Sequence, residues 1–258
     1  MPTVTPRTNR VIQALPEADR ARLLKLMVPV TLSLKTVLFE PGQAIDAVHF
    51  PLGGVVSLVT PLEDGSIVEV ATIGNEGMVG VPLVTGGGLA VRAISQVPGA
   101  ALRLPSSDFL REVGVSEPFR VLTDRYLQAL FGQISQAAAC NRLHSNEERL
   151  SRWLLMSHDR VGVDDFAITH EFLGQMLGSR RATVTLSAGI LQAAGLIRYQ
   201  RGHVTILDRE GLEGVSCECY AVIRDELDRA LGDRAVPPGV CPGLRTVAGR
   251  RGRDPRAW

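Results

Sequence analysis

The sequence predicts an α+β fold with three parts in order: short antiparallel strands, one long helix, and two short helices joined by a glycine turn. Between about residues 30 and 105, runs rich in Val, Ile and Thr alternate with turn-forming residues. From Ser116 to about Leu143 nothing interrupts a helical pattern. Further on, two apolar stretches with helical spacing flank Gly178. The chain has 258 residues, 45% of them hydrophobic, which suffices for two domains.

The first part contains several short strands and no helix between them. Asp64-Gly65 is a strong hairpin signal, flanked by apolar runs at 49–60 and 66–73. Further strands are expected at 90–97 and 100–105. Such a series favours an antiparallel sandwich or barrel. A short helix is expected before it, with Leu23, Leu26 and Met27 on one face.

The second part is a helix about 40 Å long at 1.5 Å per residue. Ser116 is placed to cap it, and Pro118 is tolerated in the first turn. It carries two apolar series, one of Leu127, Leu130, Ile134 and Ala137, and one of Leu122, Tyr126, Ala129, Cys140 and Leu143. A helix apolar on two sides needs two covering surfaces. We expect these to be the β-rich domain and the same helix of a second copy; the alternative is one helix buried in a monomer.

The third part begins after a bend near His144-Ser145, a natural hinge and domain boundary. Ser145 and Glu148 form a capping box for a helix with an apolar face of Leu150, Trp153, Leu154 and Met156. Thr169 is placed to cap the next helix, and Gly178 to end it. Ser179 is expected to cap the helix that follows. Two helices joined by such a turn form a helix-turn-helix, whose second helix can enter the major groove of DNA.

The second helix of this pair has a buried face and a face suited to DNA. Val184, Ser187, Ala188 and Leu191 repeat at helical spacing, so they are expected to be buried. Arg181 and Thr185 then project outward, and Arg181 is suited to a guanine edge. Ser179, Arg180 and Thr183 are candidate phosphate contacts. Arg201-Gly202 predicts a hairpin whose Arg201 could lie along the DNA backbone. The competing interpretation is that the paired arginines are ordinary surface residues.

Charge and cysteine content narrow the class of protein. The net charge is +1, so any basic surface must be local, and residues 169–210 carry five arginines against three acidic residues. No secretory signal or membrane-spanning run is visible, and the four cysteines do not resemble a disulfide framework. We therefore expect a cytoplasmic protein without membrane contact. No nucleophile is paired with a base, so no catalytic residues and no enzyme activity are expected.

Residues 12–212 resemble the Crp/Fnr family of bacterial transcription regulators. The similarity is strongest in THEFLGQMLGSRRATVTLSAGILQAAGLI and extends to FEPGQ, FPLGGVVSLV and NEERLSRWLLMSHDR. It implies a jelly-roll-like β-roll of the cyclic-nucleotide-binding type at 1–115, a dimerisation helix at 116–144 and a winged helix-turn-helix at 145–212. A C-terminal helix is expected at 213–236. The implied partners are a second copy and double-stranded DNA with an inverted repeat.

The sequence departs from the cyclic-AMP-responsive members at both of its expected sites. The resemblance assigns guanine recognition to Arg181, but Ala182 and Leu186 replace an acidic and a basic residue, so a different half-site is expected. In the pocket, Gly80 and Arg92-Ala93 match the nucleotide cassette, whereas Val81 replaces the glutamate that meets the ribose. Valine cannot accept that hydrogen bond. Cyclic AMP is therefore not the expected effector, and Arg92 either holds another anion or is structural.

No cofactor and no metal site are expected from the sequence. Iron–sulfur relatives use cysteines near the N-terminus, and no cysteine precedes Cys140. His49 is a lone histidine, more often structural than a haem ligand. Cys217, Cys219 and Cys241 could bind a metal or form a redox pair, but incidental thiols are the favoured interpretation. The segment 237–258 is expected to be a disordered basic tail, either adding DNA affinity or inert.

Three functions follow, in order of preference. The first is a homodimeric, sequence-specific transcription regulator whose β-roll senses an effector. The second is a ligand-independent DNA-binding regulator whose β-roll is a scaffold for dimerisation or for contact with RNA polymerase. The third is a thiol-based redox or metal-responsive protein.

Overall fold

The computed structural model describes residues 8–80 and 90–232 of the chain. Two short helices come first, α1 (Arg10–Gln13) and α2 (Glu17–Leu24). Asn9 caps α1, and its side-chain amide donates to the carbonyls of Pro51 and Gly77 at 3.0 and 2.8 Å. Leu23 and Met27 are buried as expected, while Leu26 is half-buried. The N-terminal helices are thereby anchored on the strands that follow.

In the described part of the N-terminal domain, seven strands form two antiparallel sheets, which confirms the predicted N-terminal fold. They are β1 (Val28–Leu32), β2 (Val37–Phe39), β3 (Ala47–Pro51), β4 (Val55–Pro61), β5 (Ile67–Ile73), β6 (Arg92–Val97) and β7 (Gly99–Pro105). One sheet has the order β1-β7-β3 and the other β2-β6-β4-β5. Val48 and Phe50 of the first sheet and Val56 and Leu58 of the second belong to one apolar core. The two sheets therefore share a core, as in a β-roll.

Glycines determine where these strands turn. The hairpin at Asp64-Gly65 forms between β4 and β5, with Gly65 at φ +83° and Asp64 accepting the N–H of Ser66 at 2.9 Å. The predicted run at 49–60 is divided into β3 and β4 at Gly54, whose φ is +79°. A Cβ at Gly54 would collide with the carbonyl oxygen of Val97. That position therefore requires glycine.

The long helix forms as predicted. After α3 (Ser106–Val115), α4 spans Glu117–Leu143, and Ser116 caps it by accepting the N–H of Phe119 at 3.2 Å. Tyr126 donates its hydroxyl to the carbonyl of Met78 at 3.1 Å, so one face of α4 lies on the β-domain. Leu143, a member of the second apolar series, is 74% exposed in a single chain. Leu143 is the last residue of α4, and the chain turns away from it.

The C-terminal part contains the predicted helix pair and hairpin. Its elements are α5 (Asn146–Val161), β8 (Asp165–Ala167), α6 (His170–Met176), α7 (Arg181–Ala193), β9 (Ile197–Gln200), β10 (His203–Ile206), α8 (Arg209–Val215) and α9 (Cys219–Ala230). The capping box of α5 is complete, with Ser145 and Glu148 bonded in both directions. The C-terminal helix expected at 213–236 is the shorter α9, which begins at Cys219 and packs on α4.

None of the described helices combines the length and the hydropathy needed to cross a bilayer.

Candidate nucleic-acid interface

Helices α6 and α7 are joined by a tight glycine turn. Thr169 caps α6 by accepting the N–H of Phe172 at 3.2 Å. Gly178 lies just beyond the C-terminus of α6 in the left-handed conformation, with φ +57°. The N–H of Ser179 then bonds to the carbonyl of Gly174 at 2.8 Å. A Cβ on Gly174 would lie 2.9 Å from the carbonyl oxygen of Ser179, so the close approach needs glycine at this second position too. Sequence reasoning missed Gly174, because glycine inside a helix is usually only unfavourable.

The prediction that Ser179 caps α7 is wrong. Its hydroxyl donates to Oδ1 of Asn146 at 2.6 Å, and Arg180 occupies the N-cap position without a side-chain cap. The Ser179 side chain thus fastens the turn to α5. The first N–H groups of α7 are left without a side-chain acceptor, which makes this helix start suited to an anion such as a phosphate.

The two faces of α7 divide as the sequence predicts. Val184, Ser187, Ala188 and Leu191 are buried. Arg181 and Thr185 are exposed, as are Leu186 at 70% and Ile190 at 56%. The Thr185 hydroxyl lies 3.0 Å from both the carbonyl oxygen of Arg181 and Nδ1 of His170. The outward face of α7 therefore combines a cation near its start with apolar side chains further along.

The hairpin after α7 has the geometry of a wing. Strands β9 and β10 turn at Arg201 and Gly202, whose φ angles are +52° and +79°. The Arg201 side chain is exposed at this tip, and Arg180 is exposed at the start of α7. The ring of Tyr199 on β9 stacks on His170 of α6 with centroids 3.9 Å apart. The wing is thereby held against the helix pair.

The first turn of α5 holds the helix pair in place. Ser187 of α7 donates to Glu147 at 2.7 Å, and Ser179 donates to Asn146. Arg149 donates to the carbonyl of Leu177. These contacts come directly after the bend at His144, so a rotation of α5 about that bend would carry α7 with it.

Comparison with known proteins agrees with this geometry. Residues 148–215 match the family model of the Crp-like helix-turn-helix domain. The chain is 25% identical over 194 residues to the global nitrogen regulator of Synechocystis sp., covering 70% of this chain and 86% of that protein.

Solved structures show the same fold. A putative Crp/Fnr-family regulator from Eubacterium rectale superposes with a TM-score of 0.61 at 18% identity, over 79% of this chain and 95% of that one. FixK2 from Bradyrhizobium japonicum gives 0.62 at 13% identity, over 74% and 98%. The chain therefore has the fold of Crp/Fnr-type transcription regulators, and its residues 148–215 match their Crp-like helix-turn-helix domain. The resemblance seen in the sequence is confirmed, and these relatives are regulators rather than enzymes.

Polar contacts join the β-domain to α5. Nε of Arg160 lies 2.8 Å from Oε1 of Glu76, and the two side chains are 4% and 8% exposed. Arg160 also donates to the carbonyl of Thr72 at 3.0 Å. Trp153 donates its indole N–H to Glu69 at 2.9 Å, and Ser57 also donates to Glu69. Sequence reasoning named none of the pairs between the β-domain and α5, because their partners lie more than eighty residues apart.

Glu69 gives this junction a dependence on pH. Burial raises the pKa of its carboxyl group from 4.5 to about 7, against the opposing effect of the hydrogen bonds from Ser57 and Trp153. Because the pKa of Glu69 is higher in the folded than in the unfolded state, folding favours the protonated carboxyl group. Its contribution to the free energy of unfolding is complete below about pH 4.5 and is lost as the pH rises through 7.

We expect the free energy of unfolding of the wild type to fall between about pH 5 and 8. In Glu69→Gln, which has no carboxyl group to titrate at this position, the part of that fall due to Glu69 is expected to be absent. Urea denaturation across this range measures it. The control is Glu63→Gln, an exposed carboxylate in the neighbouring hairpin, which is expected to keep the wild-type slope. Parallel profiles for wild type and Glu69→Gln would contradict the assignment.

Three of the four expected effector residues lie within the described part of the chain. Gly80 follows β-bridge residue Val79 with φ +126°, and Ala93 is buried on β6. Arg92 forms an ion pair with Glu40 at 2.7 Å. Val81 lies outside the described residues. Burial lowers the pKa of His49 to about 4, so this histidine is neutral near pH 7.

One group of metal-ligating side chains lies apart from the DNA-binding face. The side-chain ligand atoms of Cys140, His144, Cys217 and Cys219 all lie within 4.8 Å of one another. The sequence suggested Cys241 as the third thiol, but that residue lies outside the described residues. The structure supplies Cys140 and His144 instead.

Proposed function

We propose that the regulator binds, as a homodimer, a DNA site with an inverted repeat. The observation that carries the proposal is the exposed start of α7, where Arg181 stands beside uncapped N–H groups and a wing is fixed on the same unit. In this interface Arg181 reads a base edge, while Arg180, Thr183, Thr185 and Arg201 contact the backbone or neighbouring bases. Ser179 acts mainly through its bond to Asn146.

A stripe along α4 supports the dimer. Phe131 is 70% exposed, Ala138 is exposed, and Leu127 and Ile134 are half-buried. Their spacing of four, three and four residues is that of a helix–helix seam. Leu130 and Ala137, which the sequence assigned to the same series as Leu127 and Ile134, are buried within the chain instead. Pairing two copies of α4 would bury this stripe, and two α7 helices about 34 Å apart would meet successive major grooves.

Recovery of bound sequences from random duplex DNA tests the proposal directly. An inverted repeat with half-sites about one helical turn apart is expected. Because Ala182 and Leu186 replace polar residues of the cyclic-AMP-responsive members, the half-site is expected to differ from theirs. An enriched motif without twofold symmetry would contradict the dimeric mode of binding.

Arg181→Ala is expected to lower affinity for the selected site by about 1–3 kcal/mol, roughly 5- to 150-fold, because a bidentate contact with a base edge is lost. Titration of labelled cognate and scrambled duplexes measures the change. Affinity for scrambled DNA should change much less. The control Arg111→Ala removes an exposed arginine of α3 and should leave both affinities unchanged. Equal binding of both duplexes by wild type would contradict the role of Arg181.

The β-domain is proposed to pass an effector signal to α7. The contact of Tyr126 with Met78, two residues before Gly80, and the contacts of Arg160 and Trp153 provide the connection. An effector shifts the protein toward the DNA-competent arrangement only if it binds that arrangement more tightly.

A ligand-independent regulator is the second candidate, and the ion pair of Arg92 with Glu40 favours it. The arginine expected to hold an anion already has a carboxylate partner. In this version the β-domain is a scaffold for the dimer or a contact for RNA polymerase. Calorimetric titration with cyclic nucleotides and common anions separates the two candidates. Heat with a change in DNA affinity supports sensing, and silence supports the scaffold.

A further inference from the structure

Three cysteines and one histidine converge where α9 meets the end of α4. Cys140 lies in the last turn of α4, and His144 follows that helix directly. Cys217 lies in the connection between α8 and α9, and Cys219 is the first residue of α9, both more than seventy residues later. All three cysteines are free thiols and buried. The cluster therefore depends on the packing of α9 against α4.

The spacing of the ligand atoms fits one tetrahedral ion. Sγ of Cys140 lies 3.5 Å from Sγ of Cys217, and Sγ of Cys219 lies 3.4 Å from Nδ1 of His144. A zinc ion about 2.3 Å from each sulfur and 2.0–2.1 Å from nitrogen places its ligand atoms about 3.6–3.8 Å apart. Four protein ligands of this type are those of a closed, structural zinc site.

The surrounding groups match those of a metal centre. Oε2 of Glu218 lies 3.3 Å from Nε2 of His144, the ring nitrogen that points away from the thiols. A carboxylate on the far side of a histidine is the usual outer partner of a metal ligand, since it orients the ring and raises its basicity. The side-chain amide of Gln136 donates to Sγ of Cys219 at 3.1 Å, as expected beside a thiolate.

Two buried arginines provide the charge that such a centre needs. Arg149 and Arg152 are each 7% exposed, and Nε of each is buried without a hydrogen-bond partner among the described residues. Both act electrostatically on Cys140. Three thiolates, one neutral imidazole and Zn²⁺ sum to one negative charge. That charge would offset buried guanidinium groups that are otherwise costly to desolvate.

We propose that Cys140, His144, Cys217 and Cys219 bind a single Zn²⁺ that fastens α9 to the end of α4. Binding displaces the three thiol protons to solvent, and no electron is transferred. The ion would join the dimerisation helix to the C-terminal helix beside the bend at His144. Its influence on DNA affinity rests on the proposed function, but the metal site itself does not.

The metal content of the full-length protein tests the proposal. After purification without chelator, elemental analysis is expected to find one zinc per chain. Cys140→Ser and Cys219→Ser should each lose it, whereas Cys241→Ser should retain it and serves as the matched control. A strong chelator should lower the Tm of wild type and Cys241→Ser, and leave the Tm of Cys140→Ser unchanged.

Cobalt exchange of the wild-type protein keeps the test independent of how the variants fold. Removal of zinc followed by addition of Co²⁺ is expected to give the thiolate-to-metal and visible bands of tetrahedral cobalt. A reduced protein that takes up neither ion would overturn the proposal. A protein isolated with a Cys140–Cys217 disulfide would overturn it as well if it still bound no zinc after the disulfide was reduced. Because neither measurement contains DNA, these outcomes are separate from failure of the DNA-binding proposal.

Discussion

Phe131→Asp is expected to convert the proposed dimer into a monomer. In one chain Phe131 is 70% exposed at the centre of the stripe formed by Leu127, Phe131, Ile134 and Ala138. Large aromatic side chains at the middle of an interface contribute most of the binding energy. The substitution removes that contact from both copies and places two carboxylates near each other at the twofold axis, where like charges are costly.

Sedimentation velocity of wild type and variant at equal concentration measures the change in oligomeric state. Affinity for the selected DNA site should fall at the same time, because a monomer contacts one half-site only. The matched control is Val28→Asp, which alters an apolar side chain on β1 that is 55% exposed. A dimer of unchanged Kd in the Phe131 variant would place the dimer seam elsewhere.

Arg160→Met is expected to lower the free energy of unfolding by about 3–5 kcal/mol. The change leaves the carboxylate of Glu76, whose side chain is 8% exposed, buried without its cation. It also removes one of two side-chain donors to the carbonyl of Thr72, leaving Gln133 as the other. Urea denaturation of wild type and variant at pH 7 measures the loss.

Two controls separate a buried ion pair from a general effect of removing arginine. Arg103→Met breaks the exposed pair of Arg103 with Asp46 and should cost no more than about 1 kcal/mol. Adding Glu76→Gln to Arg160→Met should recover part of the loss, since the uncompensated charge is then gone. If Arg160→Met costs no more than Arg103→Met, this pair is not what joins the β-domain to α5.

These two substitutions act at different points of the proposed path from the β-domain to DNA. Arg160 lies on α5, which also holds α7 through Asn146 and Glu147. Phe131 lies on α4, before the bend at His144. Loss of the Arg160 contact is therefore expected to loosen the β-domain from α5, whereas loss of the Phe131 contact is expected to separate the two copies of α7.

Caps and turns were predictable from the sequence because a few neighbouring residues decide them. Ser116 caps α4, Ser145 and Glu148 form their box, and Thr169 caps α6, as expected. The left-handed glycine at 178 follows the same local rule. The exception is Ser179, whose hydroxyl has an equally plausible local use but bonds to Asn146, 33 residues away. A distant partner of this kind leaves no trace in the residues near the serine.

The candidate DNA-binding face is predictable in the same way. The stripe on α4, the junction between the β-domain and α5, and the cluster of three cysteines and one histidine are not. The helical spacing of Val184, Ser187, Ala188 and Leu191 gave the buried face of α7, and Arg181 was left outside it. By contrast, helical spacing places Leu130 and Leu127 in one apolar series. Only the packing of α4 on the β-domain decides that Leu130 is buried within the chain while Leu127 remains half-buried. Phe131 was missed for that reason.

Most of the helices, hairpins and caps, and the outward side of α7, are predictable from the sequence because each depends on residues one to four positions apart. The pairing of Arg160 with Glu76, the environment of Glu69 and the meeting of Cys140 with Cys217 depend instead on tertiary packing. These groups are brought together across 77 to 88 residues by the packing of helices on sheets and on one another. The spacing of apolar residues in the sequence shows which side of a helix is apolar, but it does not show which surface of the protein covers that side.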